Sequence, residues 1–292
     1  ITSGDYNFFV GQCAGFCNTS GNYNTFLGFC AGYGGTGGVT GSNNTAIGRD
    51  SGKSLTSGTN NNFLGRSAGE FNTTGCYNNF LGRYAGFCNK TGCYNNFFGQ
   101  CAGYGGSGGV TGNNNTAIGQ DAGKCLTSGT LNHFIGRNAG YYNTTGCCNN
   151  FLGISAGKCN TSGIDNNFIG SLAGRDNTTG CYNNFLGRNA GFCNTTGCYN
   201  NFFGLRAGYG GSGGVTGNNN TAIGQDAGKC LTSGTNNTFL GYQAGFCNQT
   251  GDDNIFIGQC AGYGNCCFDG VIAIGKFAGR NLTFAQDNTF LG

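Results

Sequence analysis

The feature that most constrains this chain is a period. Glycines closing triplets of the F-L-G or A-I-G type recur from Gly11, Gly28, Gly48 and Gly65 through to Gly275 and Gly292, at thirteen intervals of 17 residues and three of 20. These intervals span the whole distance from Gly11 to Gly292 with no residue left over. The consensus unit reads G-x-x-A-G-x-x-N-T-T-G-x-x-N-N-F-L, almost pure from Gly170 to Leu186 and from Gly187 to Phe203. The 20-residue units, such as Gly99 to Ile118, carry Y-G-G-S-G-G-V-T-G in place of the N-T-T-G segment and end in A-I, so insertions fall in one loop. A unit this short cannot bury a core alone and must stack on its neighbours, backbone paired to backbone.

Composition decides what kind of stack. No stretch has a helical 3.6-residue period, and the density of Gly and Asn opposes helix formation. Gly accounts for 62 of the 292 residues, and Pro, Met and Trp are absent. Charged residues make up only 9%, so surface polarity falls to Asn, Thr, Ser and Gly. The 25 Phe and 14 Tyr supply apolar area that a disordered Gly/Asn/Ser segment lacks. Three near-fixed glycines per unit read as corners or close approaches, N-T-T-G as a turn, and three to five residues remain for a strand. The reading is all-β: a parallel β-solenoid, or β-roll, of 17-residue coils with three 20-residue variants. It is a single repeat domain over 1–292 of about sixteen coils, with atypical end coils at 259–292, expected to be a piece of something longer. Stacked strands lie about 4.8 Å apart, so the expectation is a rod of roughly 75 to 80 Å, suited to spacing.

Adjacent strand residues face opposite ways. Of each apolar pair, one column fills the interior with the Ala68, Ala85 and Ala102 row, and the other faces outward. The expected self-association stripe is the Phe column, Phe80, Phe97, Phe134, Phe151 and Phe185. A continuous outward aromatic ladder exceeds what a monomer leaves uncovered, and a threefold, twofold or helical assembly would bury it. The alternative is a Gly bulge that turns both side chains inward.

The consensus string, together with N-T-A-I-G-Q-D-A-G from Asn115 to Gly123, resembles the repeats of bacterial and phage tail fibres and of trimeric adhesin head or stalk regions, over essentially the whole chain. The resemblance implies a trimeric parallel β-roll that holds a binding or anchoring domain away from a surface. The 19 Cys and Tyr-rich loops depart from that pattern.

With one His and no C-x-x-C pair, the cysteines point to oxidised structure rather than metal binding, hence to an oxidising, extracellular or cell- or virion-surface location. Stacking on adjacent coils would pair Cys13 with Cys30, Cys76 with Cys93, Cys181 with Cys198 and Cys230 with Cys247. Closure within a coil would instead join Cys88 to Cys93 and Cys193 to Cys198. A third reading keeps them as buried reduced thiols. Thirteen N-x-[ST] sequons are glycosylation candidates: Asn18, Asn72, Asn89, Asn143, Asn160, Asn177, Asn194 and Asn248 in the turn, Asn43, Asn114, Asn219 and Asn236 ahead of the strand, and Asn281. The rival reading is that N-T-T-G is turn chemistry copied by duplication.

No catalytic, cofactor or metal site is expected. G-x-G-x-x-G at Gly32, Gly34 and Gly37, at Gly103, Gly105 and Gly108 and at Gly208, Gly210 and Gly213 lacks the βαβ context of a dinucleotide loop. His133 replaces a repeat Asn and has no nucleophile paired to it. A net charge of +3 without a basic run indicates no nucleic-acid partner, and no apolar run is long enough for membrane insertion. The expected partner is the chain itself, as a homotrimer or an end-to-end filament, in a structural, non-enzymatic role. The second reading is a glycan- or ice-binding module using rows such as Thr73, Thr74, Thr144 and Thr145. The irregular unit Gly258 to Ile274, with vicinal Cys266 and Cys267, is expected to mark a terminal or joining coil, whereas Ile1 shows no cap.

Overall fold

The computed structural model describes residues 4–282 and 286–292. The open end at Ile1 lies outside the described residues. Contacts divide the chain into two compact units, 1–148 and 149–292. The described residues form no helix.

The first unit holds eight three-residue strands, from Phe8–Val10 to His133–Ile135, each pairing in parallel with the next at a register step of 17 or 20 residues. The second holds nine, from Asn150–Leu152 to Thr289–Leu291, paired in the same way. Each unit is therefore a parallel β-solenoid whose coil is the sequence repeat.

So little strand would hold little structure on its own. Pairing instead follows the coil contour. In the second unit Gly174 N donates to Ala190 O at 2.9 Å, Asp176 N to Phe192 O at 3.0 Å and Thr178 N to Thr195 O at 2.9 Å, all on the following coil. Leu172 N and Tyr182 N donate back to Ile154 O and Ile164 O on the preceding one. This meets the requirement that buried backbone groups find partners.

Four side chains per regular coil point inward. From Gly170 to Leu186 they are Ala173, Asn177, Asn183 and Phe185, all fully buried. Phe185 is the middle residue of its strand, which puts Asn184 and Leu186 outside. The rings stack at the coil spacing: Phe168 to Phe185 at 4.7 Å and 4°, and Phe185 to Phe202 at 4.9 Å and 7°. In the first unit Phe63, Phe80 and Phe97 stack at 5.2 and 5.0 Å.

Glycine is required for two distinct reasons. Gly174 has φ +54°, and a Cβ there would stand 2.5 Å from the Phe168 ring, so both conformation and the core demand it. Gly180 has no positive φ, yet a Cβ would run into the carbonyl oxygen of Gly197, so the close approach of coils demands it. Two further corners take the left-handed conformation with ordinary residues, among them Leu172 at φ +62° and Tyr182 at φ +58°.

Candidate functional site

The outward face of the strand corrects the expected self-association stripe. Phe80, Phe97, Phe134, Phe151 and Phe185 are 0% exposed, because the centre of the strand is the inward position. The apolar residue just after them is the one that faces out. Leu64, Leu81, Ile118 and Ile135 in the first unit are 37 to 41% exposed, and Ile169, Leu186 and Ile223 in the second are 36 to 40% exposed. A parallel register keeps this column continuous within each unit. Beside it runs a row of half-buried or exposed asparagines joined amide to amide: Asn62 to Asn79 and Asn79 to Asn96 at 2.8 Å, and Asn184 to Asn201 at 2.9 Å. His133 occupies this outer row and is exposed.

The turn asparagines overturn a second expectation. Asn18, Asn72, Asn89, Asn143, Asn160, Asn177, Asn194 and Asn248 are no more than 1% exposed. Asn177 Nδ2 donates to Gly180 O within its coil at 3.0 Å and to Asn160 Oδ1 on the preceding coil at 2.7 Å, and Asn194 Nδ2 repeats the pattern on Gly197 O and Asn177 Oδ1. A second buried ladder links Asn183 to Asn166 at 3.1 Å and to Gly197 O at 2.8 Å. Burying an amide is costly unless its groups are paired, and repetition supplies the partners between like coils; where Val39 and Val215 stand opposite, Asn18 Oδ1 and Asn194 Oδ1 are left buried without one. These eight sequon nitrogens are structural. Asn43, Asn114, Asn219 and Asn236 instead occupy left-handed corners, φ 58 to 61°, and are exposed. Asn281 is exposed, but Thr283 of its sequon lies outside the described residues.

The inward Asn rows were missed because N-T-T-G is also a good turn sequence. A signal was present: Val39, Val110 and Val215 stand opposite Asn18, Asn89 and Asn194 in the bridge register, and Leu55, Leu126 and Leu231 hold the same repeat position in other coils. An aliphatic side chain at that position marks it as interior.

No disulfide joins the expected pairs Cys13/Cys30, Cys76/Cys93, Cys181/Cys198 and Cys230/Cys247 or the within-coil alternatives Cys88/Cys93 and Cys193/Cys198, whose sulfurs are thiols in the structure. The sulfurs serve as hydrogen-bonding groups instead. Cys76 N donates to Cys93 Sγ at 3.1 Å while Cys76 Sγ donates to Thr74 O at 3.3 Å, and Cys181 and Cys198 repeat this at 3.1 and 3.2 Å. Burial raises the pKa of Cys88, Cys125, Cys159, Cys193 and Cys230 above the ordinary thiol value. A raised pKa keeps them protonated and slow to react. Cys148, Cys266 and Cys267 are exposed.

Charged groups stay close to rings. Arg175 lies 4.1 Å over the Phe192 ring and Lys229 5.0 Å over Phe246. Lys124 pairs with Asp121 at 3.0 Å, and that bond, ahead of all other effects, pushes its pKa up. Among the described residues no three His, Cys, Asp or Glu side chains are grouped to hold a metal ion. The Gly-rich loop at 103–108 is tied to the next coil, Gly105 N to Lys124 O at 2.9 Å and Gly106 N to Leu126 O at 3.0 Å, with no helix after it. Thr73 spends its hydroxyl on Lys90 O at 3.0 Å, while Thr74 and Thr145 are exposed. The irregular coil 258–274 keeps the pairing: Phe268 O takes the place of a turn-Gly carbonyl as acceptor for Asn254 Nδ2, and the Asn ladder ends where Val271 N meets Asn254 Oδ1 at 2.9 Å.

Fold and surface together define a tandem-repeat parallel β-solenoid with stacked Asn and Thr rows. No protein-family model matches the chain, and no characterised protein matches it in sequence.

Proposed function

We propose that this chain is a structural protein of the extracellular space or of a cell or virion surface, a fibre-forming segment of the tail-fibre and adhesin kind rather than an enzyme. Its working surface is the outward apolar column. One observation carries the reading: the same strand position is apolar in coil after coil, about two-fifths exposed at Leu81, Ile118, Ile223 and Ile274 and half-buried at Phe98, Leu152, Phe203 and Leu240. Contiguous apolar area of this sort is normally covered by another protein surface. The partner is a second copy, because a column repeating at the coil spacing is matched by nothing so well as itself, and closed symmetry about a threefold axis buries all copies equivalently. The cysteines strengthen such a fibre only where oxidation joins thiols between copies, since within one copy they already serve the turns.

The test is sedimentation of the whole chain beside the double variant Leu186→Lys with Ile223→Lys. The wild type is expected to sediment as a discrete oligomer or a filament and the variant as a monomer with unchanged circular dichroism. A wild type that stays monomeric across the accessible concentration range would sink the proposal.

The hydroxyl rows support a binding module less well. Thr73, Thr178 and Thr232 donate their hydroxyls to the next coil's carbonyl oxygens, leaving only the second row, Thr74 and its equivalents, to meet a ligand.

A further inference from the structure

We infer that, of the twelve sequons whose residues are all described, the folded chain accepts N-linked oligosaccharides at four only, the corners Asn43, Asn114, Asn219 and Asn236. The inference rests on the surface location proposed above and reaches beyond it by assigning modification sites. Sequence does not separate these four from the eight turn sequons. Burial does.

Transfer forms a bond between asparagine Nδ2 and the anomeric carbon of a lipid-linked oligosaccharide. The polyprenyl pyrophosphate leaves with the bonding electron pair, and Nδ2 loses one proton. The nitrogen must therefore be reachable and must remain exposed once it carries the sugar. Asn177 Nδ2 is held by two acceptors in the interior, and its Oδ1 accepts from Asn194. A sugar there would displace the ladder on both sides. If added to the nascent chain, it would stop that coil from closing on its neighbour, so folded protein is depleted of such molecules. The corner asparagines have the opposite setting. Each is exposed with its backbone N–H satisfied by the preceding coil, Asn43 N on Asn22 O at 2.9 Å and Asn114 N on Cys93 O at 3.0 Å, so a substituent on the side chain disturbs no pairing.

The corner position itself varies with coil type. In some 17-residue coils it holds tyrosines that stack in pairs, Tyr77 on Tyr94 and Tyr182 on Tyr199, both at 4.9 Å, and in others Asn60, Leu131, Cys148, Asp165 or Asp253. Asparagine with Thr two residues on occurs there only in a 20-residue coil or the coil after it: Asn43 and Thr45, Asn114 and Thr116, Asn219 and Thr221, Asn236 and Thr238. The glycans are thus confined to the inserted coils and their followers. Asn219 and Asn236 lie on successive coils, about 4.8 Å apart, closer than two oligosaccharides pack side by side, so this pair is expected to share occupancy.

The experiment sends the whole chain through a eukaryotic secretory pathway, recovers the folded fraction, releases glycans with peptide N-glycosidase in 18O-water and maps the labelled aspartates. Label is expected at 43, at 114 and at 219 or 236, with none at the eight turn positions. Replacing Thr45, Thr116, Thr221 and Thr238 by Ala is expected to abolish the label while leaving the melting temperature within a few degrees. Label at any turn asparagine of the folded protein, or no label at the corners, would overturn the inference. Routing the chain through the glycosylating compartment separates this outcome from the sedimentation test, which reads self-association alone.

Discussion

Two stretches of the second unit pair strand to strand in the same parallel manner but have different interiors. In the regular coils from Gly170 to Phe203 the inward residues are Ala, Asn, Asn and Phe, and the core is half polar. In the inserted coil from Gly204 to Ile223, Ala222 replaces the ring and Val215 the turn Asn, and in the coil that follows Leu231 replaces the next turn Asn while Phe239 returns; all four are fully buried. The same exchange occurs in the first unit around Ala117, Val110 and Leu126. The ring is given up only where two aliphatic side chains arrive. Backbone pairing thus sets the coil, and the interior conserves volume rather than identity, leaving Asn194 Oδ1 buried without a partner opposite Val215.

The largest effect that can break this comparison is loss of a stacked ring. Phe185→Ala leaves Phe168 and Phe202 without their partner and is expected to cost about 3 to 5 kcal/mol, read as a fall in the urea midpoint. A cost under about 1 kcal/mol would mean that the ring column contributes little to holding regular coils together.

A smaller effect sharpens it. Ala222→Phe puts a ring back where aliphatic volume already stands and is expected to destabilise by about 1 to 3 kcal/mol. Leu231→Asn removes some of that volume and restores the amide row beside Asn248. Combined, the two should be milder than their sum, with a coupling of roughly 0.5 to 3 kcal/mol in a double-mutant cycle. Strict additivity would show that the exchanges at the two positions are unrelated.

The smallest effect concerns what both coil types share. Cys159 in a regular coil and Cys230 after an inserted one both have pKa values raised above 9.0 by burial. A thiol whose folded pKa is raised contributes stability that is complete below the unfolded pKa and is lost as pH rises through the folded one. The urea midpoint in reducing buffer should hold steady from pH 7 to about 9 and decline above it, and Cys159→Ser with Cys230→Ser should flatten that decline. A midpoint that rises above pH 9 would contradict the sign.

Much of this architecture was legible. The period gave the coil, and strand alternation gave one inward and one outward apolar residue, but nothing local said which was which; the strand is three residues long and its centre is the Phe. The turn asparagines were misread because Asn before Thr and Gly fits an exposed turn as well as a buried ladder, and only Val215 and Leu231 at the same position betray the interior. The left-handed corners at Leu172 and Tyr182 carry no glycine to announce them, since pairing to the coils on either side imposes the conformation. Cysteine spacing indicated stacking correctly at Cys76 and Cys93, yet the sulfurs there hydrogen-bond to backbone groups and to one another and form no disulfide.

The in-register pairing has a genetic consequence. Every inward residue of a regular coil finds its like one coil away, so a recombination event that deletes or duplicates whole coils leaves each survivor with an equivalent neighbour. A frame-preserving change of one residue inside the strand has the opposite result, for it exchanges the faces of Phe and Leu in that coil. Lengths that are multiples of the coil are therefore freely accessible to evolution, and selection can set the number of coils without redesigning any of them.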